Sequence, residues 1–267
     1  MISSKFTLDR RSLHNRFEEL KFLFEELVKR DFIKKYKRTI LGIGWSVLSP
    51  LLMMFVMQIV FYHFFGIQIE NYATYLLCGQ IIFNYYTEST NDGMMSLYEN
   101  SAILTKMNVP KYLFIFSKNV AGLINFSCTL IVLFACIFVE GVELSWRVIL
   151  IIFPIICILV FNVGIGMILS ALFVFFRDIK WLYGVFLQAL GYVSGIFYDI
   201  NTFSPMAQKL FMLNPIFVYI KYFRAVVMYK EVPGLFHHFL CILYATITFI
   251  IGLIIYKKNN YKFVYYI

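Results

Sequence analysis

Six apolar stretches, each close to or above the ~20 residues that cross a bilayer as a helix, leave few folds open to this chain. They fall at roughly 44–66, 72–97, 113–139, 148–175, 181–200 and 238–256. In hydrocarbon, backbone N–H and C=O groups must find partners within the chain, so runs of this length have to be helical. The predicted fold is therefore all-α, a polytopic membrane protein with six transmembrane helices. Composition decides against a soluble alternative: 61% of residues are hydrophobic and 15% charged, against about 45–50% and about 25% in soluble domains. The stretch 148–175 exceeds what a crossing needs and is predicted to tilt or bend near Pro154. Cys78, Cys128, Cys136, Cys157 and Cys241 all lie in apolar runs with no C-x-x-C spacing. They read as small core residues, not as a disulfide or metal set. No apolar h-region occurs in residues 1–43, so a cleavable signal peptide is not expected.

The net charge of +9 raises the question of nucleic acid, and the placement of the cations answers it. Six crossings put both termini on one side. On that side lie nineteen Lys and Arg residues, eleven of them within 1–43; the opposite side carries Arg147, Lys209, Lys221, Arg224 and Lys230. This asymmetry predicts cytoplasmic termini in a multi-pass membrane protein. It accounts for the charge through an anionic leaflet, with no nucleic-acid partner.

Residues 1–43 form a separate arm ahead of the 44–267 membrane domain. Within it, Leu13, Phe17, Leu20, Phe24, Leu27 and Val28 recur at three- and four-residue steps, with Glu and Lys on the other face. This pattern predicts an amphipathic helix lying in the membrane interface; the alternative is a helix packed on a soluble partner. An elbow follows. Arg30 and Asp31 stand where opposite charges could fix its angle, Tyr36 and Trp45 suit the headgroup boundary, and Gly42 permits a sharp bend.

The string R-D-x-x-x-x-Y-K-x-T-x-L-G-x-x-W-x-x-x-x-P at 30–50 resembles the entry to the first span of polysaccharide-export ABC transporter permeases. These are type-2 exporters of O-antigen, teichoic acid and capsule-like polymers. Residues 100–111, Phe175-Phe176-Arg177-Asp178-Ile179, Leu213-Asn214-Pro215 and Tyr222-Phe223-Arg224-Ala225 resemble later family segments in the family's order. The resemblance implies a homodimer working with two copies of a separate ABC ATPase on a lipid-linked glycan. This chain then needs no cofactor, and ATP and Mg belong to the partner. The sequence agrees, since no G-x-x-x-x-G-K-[ST] loop, H-E-x-x-H or G-x-S-x-G is present. No catalytic residue and no metal ligand is predicted; His237-His238 without carboxylate support reads as an interface pair.

The inner segment 98–111 sets Leu104, Met107, Val109 and Pro110 beside Lys106 and Lys111. A short apolar and basic helix ended by proline suits a cleft on a soluble partner, so Leu104, Lys106, Met107, Val109 and Pro110 are the expected ATPase-coupling residues. The alternative is a basic loop that only sets topology. In the second span Glu88 and Asp92, four apart, share a helical face. Either they mark the inner mouth of a hydrated path, or the helix is leaving the membrane there. Aromatic residues make up 19% of the chain, and flat rings with occasional amides suit sliding sugars. Phe55, Gln58, Tyr62, Gln188, Tyr192 and Phe197 are the expected channel lining, against the alternative of packing and interfacial belts. Gly191-x-x-x-Gly195 suggests a close helix approach at the dimer or pore seam. Residues 201–237 predict short outer re-entrant helices broken at Asn214-Pro215, acting as a gate or as a structural plug. The runner-up function is a small-molecule or drug exporter of the same fold. A membrane-embedded enzyme finds no supporting constellation.

Overall fold

The computed structural model describes residues 2–66, 69–107 and 109–266, with side chains from residue 16 onward except those of 63–64 and 264–265. Asn108 of the inner segment and the side chain of Leu13 lie outside the described residues. The described chain is all-helical. Its helices are α1 (Ile2–Tyr36), α2 (Gly44–Gln58, continued by a π-helical turn Ile59–Phe64), α3 (Tyr72–Glu99), α4 (Ser101–Leu104), α5 (Tyr112–Val139) and α6 (Ile152–Phe175). They continue with α7 (Ile179–Val193), α8 (Pro205–Phe211), α9 (Pro215–Val227), α10 (Leu235–Asn259) and α11 (Phe263–Tyr266).

Four helices are long and apolar enough to cross a bilayer: Gly44–Tyr62, Tyr112–Val139, Trp146–Phe175 and Leu235–Asn259. A bent pair, α8 and α9, folded at 105°, qualifies as a fifth if it counts as one broken span. The two other predicted spans also form helices but differ in kind. α3 is long enough, but NYYTESTND near its end makes it polar. α7 has only 15 residues, about 22 Å at 1.5 Å per residue. The predicted fifth span at 181–200 thus ends early. Ser194 Oγ turns back onto the Leu190 carbonyl, and Gly195 adopts φ +62°, a left-handed conformation that closes the helix. The expected bend at Pro154 is not needed. A 3₁₀ turn over Trp146–Ile151 leads into α6, and Pro154 falls in the first turn of α6, where its missing N–H breaks no helical bond.

α3 and α6 form the centre, flanked by α5, α9 and α10. Leu76, Leu77, Ile82, Leu133 and Ile158 are fully buried there. Lipid tails are as apolar as these side chains, so close packing rather than escape from water must hold such helices together. The tightest approach is α6 on α10. A Cβ on Gly164 would lie 2.5 Å from the Thr248 carbonyl carbon, and one on Gly252 would lie 2.8 Å from the Gly164 carbonyl oxygen. Within the chain this seam, and not Gly191-x-x-x-Gly195, brings two helix backbones closest. Gly191 faces the Phe83 ring, and Gly195 lies beyond the end of α7. All five cysteines are free thiols, and Cys78, Cys157 and Cys241 are buried.

Candidate functional site

α1 runs further than the 13–29 periodicity predicts and docks by one stripe. Leu27 is buried and Leu20 and Leu23 half-buried against Leu97, Leu104 and Phe114. Phe17, expected on the apolar face, stands exposed. At the end of α1 an ion-pair network ties the arm to α3 and α5. Arg30 Nη2 lies 2.7 Å from Asp31 Oδ1. Lys118 of α5, whose side chain is 6% exposed, reaches Asp31 at 3.5 Å and Glu99 at 3.0 Å. Lys34 adds a contact to Glu99 at 3.3 Å, and Lys35 pairs with Glu88 at 2.7 Å. Asn125 donates to Glu88 and accepts from the Tyr36 hydroxyl. Burial, then the Glu88 charge, pushes the Tyr36 phenol up to about 12, so it remains a hydrogen-bond donor at neutral pH. Burial opposes the charge of Glu99, but Lys118 and Lys34 outweigh it and hold its carboxyl below the ordinary range.

The sequence foresaw Arg30, Asp31 and Tyr36 at this elbow. It missed Glu99, Lys118 and Asn125, which are distant in sequence and carry no local motif. Arg38 and Gly42 both take left-handed φ, 68° and 53°, and turn the chain into α2, where Trp45 is exposed. Asp31 is nearly buried and Lys34 largely exposed, which ranks three substitutions. Asp31→Ala leaves Lys118 short of an anion in a buried setting and is expected to cost about 3 kcal/mol of arm docking. Gly42→Val forces a β-branched residue into a strained conformation, at about 1–3 kcal/mol. Lys34→Ala removes an exposed pair, at about 0–1 kcal/mol. Limited proteolysis of α1 in the inserted protein checks this order; equal, small effects would leave α1 a plain anchor.

The five expected coupling residues divide. Leu104 and Val109 are buried in the cluster under α1, with Phe114, Tyr256 and Phe263, and Pro110 is half-buried. Lys106 and Met107 project outward, Met107 being 54% exposed. Leu104 and Val109 therefore anchor the segment, while Lys106 and Met107 form its free tip.

α2 and α7 each bury one edge and leave a broad face open. Phe55, Tyr62, Gln188 and Tyr192 are exposed and Gln58 is half-buried. Phe197 stacks on Phe61 with centroids 4.9 Å apart and lies 6.1 Å from the Tyr192 ring, which joins the ends of α2 and α7. Phe61 was not foreseen. α3 contributes Asn84 and Asp92, both exposed, and half-buried Asn91. Glu88, which the sequence leaves open between the mouth of a hydrated path and a helix leaving the membrane, faces the elbow through Lys35 and Asn125.

At the opposite end, α9 is almost wholly buried. Its Arg224 donates to the carbonyls of Tyr75, Gly195 and Ile196 at 2.7–3.3 Å and stacks 3.4 Å from the Tyr75 ring centroid. One guanidinium thus clasps α9, the start of α3 and the turn after α7. Asn214 caps α9 by accepting from Ile216 N–H, and its amide donates to Val193 O and Ser194 Oγ; Pro215 opens the helix with its fixed φ. His238, paired in sequence with His237, bonds the Tyr222 hydroxyl at 2.9 Å and packs on Phe153.

Apolar helices of spanning length around a partly polar central helix, with an open aromatic face, define a polytopic membrane protein. The chain belongs to the ABC-2 type transporter family, which it matches over residues 23–228. It is 30% identical over 253 residues to the O-antigen export system permease protein RfbA of Klebsiella pneumoniae, covering 91% of this chain and 95% of that one. It is 25% identical to the protein of the same description from Myxococcus xanthus, over 79% of this chain and 82% of that one. The capsule polysaccharide export inner-membrane protein CtrC of Neisseria meningitidis is 19% identical, over 74% of this chain and 76% of that one. The family resemblance read at 30–50 is thereby met.

Proposed function

We propose that this chain is the permease of an ABC exporter that moves a lipid-linked polysaccharide across the bacterial cytoplasmic membrane. The cargo is an O-antigen, a teichoic acid or a related surface glycan. A separate ATPase subunit binding ATP and Mg drives it, and two copies of each subunit assemble. The observation that carries the substrate class is the 30% identity to an O-antigen export permease along 91% of the chain. In this reading six segments cross and both termini are cytoplasmic. α3 tolerates its polar face because that face borders a hydrated path, and the turn after α7 completes a short crossing within protein. α1 lies in the inner interface, and α8 and α9 dip from the outer one and cap the exit. The exposed faces of α2 and α7 from two copies line the path through Phe55, Gln58, Tyr62, Gln188, Tyr192 and Phe197. A strain lacking the chain is expected to lose its surface glycan and accumulate the lipid-linked polymer inside. Unchanged surface glycan in that strain refutes the assignment.

Coupling runs through the tip of the inner segment. Met107→Asp places a charge in the expected ATPase contact without touching the buried anchors. It is expected to weaken subunit affinity about tenfold, the scale of one lost interface anchor. Hydrolysis would then continue without export. Pull-down of the ATPase with parallel hydrolysis assays checks it, and wild-type values for binding and stimulated hydrolysis remove the tip from the coupling path.

A further inference from the structure

Beside the inner segment lies a cleft of about 770 Å³, walled by residues 104–107 and 109–112 on one side and the end of α10 on the other. Four cations edge it: Arg16, Lys106, Lys111 and Lys257, and no described carboxylate lines it. Arg16, Lys106 and Lys257 have no ion pair or hydrogen bond among the described residues. Lys111 is held by the Asn260 carbonyl and side-chain oxygens, and burial pushes its ammonium below the ordinary range. A phosphate-bearing ligand would supply the counter-charge that this lining lacks. The remaining wall is largely apolar, with Thr105 and Asn260 as its polar residues. Leu253 and Tyr256 belong to the last turns of α10, and Leu253 continues the exposed helical stripe of Ile242 and Ile250, which read as lipid-facing in a membrane helix. The cleft therefore opens both toward charged solvent and along a greasy track.

We infer that this cleft binds the phosphate headgroup of an anionic inner-leaflet phospholipid, with an acyl chain laid along α10. The inference rests on the cytoplasmic placement of this end in the proposed function. Charge complementarity selects the headgroup, and the apolar track beside it selects a lipid over a free ion. A bound lipid bridges α1 through Arg16, the coupling segment through Lys106 and Lys111, and α10 through Lys257. The position of the coupling tip then depends on the lipid as well as on its buried anchors.

The test uses the full chain in nanodiscs of phosphatidylcholine with a minor fraction of phosphatidylglycerol, followed by native mass spectrometry of the lipid retained after detergent release. Wild type is expected to retain phosphatidylglycerol preferentially. Each cation removed is expected to weaken retention about fivefold, so Arg16→Gln/Lys257→Gln loses most of it while Lys180→Gln, outside the cleft, does not. Added inorganic phosphate is expected to leave retention unchanged. Equal retention of the two lipids by wild type overturns the inference, as does equal loss in the Lys180→Gln control. Displacement by inorganic phosphate identifies a site for free anions and overturns the lipid assignment. The readout involves neither glycan nor ATPase, so its failure is distinct from a failure of the exporter reading.

Discussion

Arg224→Met is expected to unfasten the end of the bundle where α9, the start of α3 and the turn after α7 meet. The Gly195 and Ile196 carbonyls lose their donor in a site that is 5% exposed, and the Tyr75 carbonyl, already a helical acceptor in α3, loses its second. An unsatisfied buried polar group costs about 1–3 kcal/mol, so two of them remove a large share of the stability of an ordinary domain. Lysine does not rescue: its ammonium is a compact point charge and cannot span three divergent acceptors while stacking flat on Tyr75. Both Arg224→Met and Arg224→Lys are expected to lower the unfolding temperature in detergent steeply and abolish export. A wild-type unfolding temperature in Arg224→Lys would show that charge alone, not the planar fork, holds the three elements.

Gly164→Val is expected to be as severe for a different reason. A Cβ already falls 2.5 Å from backbone at Thr248, below any real contact, and the obstacle is not a side chain that can swing away. α6 and α10 must separate, with loss of packing along their shared length. Overpacking of this kind costs about 1–3 kcal/mol or more even in adaptable cores, and two facing helix backbones adapt least. Gly252→Val, meeting the Gly164 carbonyl from the other side, should reproduce it. Yield of monodisperse protein after extraction measures both, and normal yield from either variant would mean that the seam opens freely.

The apolar periodicity made the helices legible because a bilayer leaves no other use for such runs. Where it failed, a local rule met a tertiary one. The fifth span stops at Val193 because Gly195 and the Asn214 amide end α7, and hydropathy does not register a helix cap. The glycine pair chosen by spacing, Gly191 and Gly195, joins no two helices within the chain, while Gly164 and Gly252, which do, lie in different helices and share no pattern in sequence. At the elbow the motif named Arg30, Asp31 and Tyr36, but their partners Lys118, Glu99 and Asn125 are brought there by α3 and α5. Arg224 had a readable signal that went unused: a lone guanidinium in the apolar run 215–227 needs acceptors nearby.

The central claim is that this permease, with its ATPase, carries a lipid-linked glycan. Vesicles holding both subunits, with labelled lipid-linked polymer on the ATPase side, test it most directly through ATP-dependent loss of label to the sealed side. The expected result is transfer that needs both subunits and hydrolysable ATP, and that falls several-fold in Phe55→Ala/Tyr192→Ala with insertion intact. Absence of polymer transfer, in vesicles that move small amphipathic compounds with ATP, would contradict it.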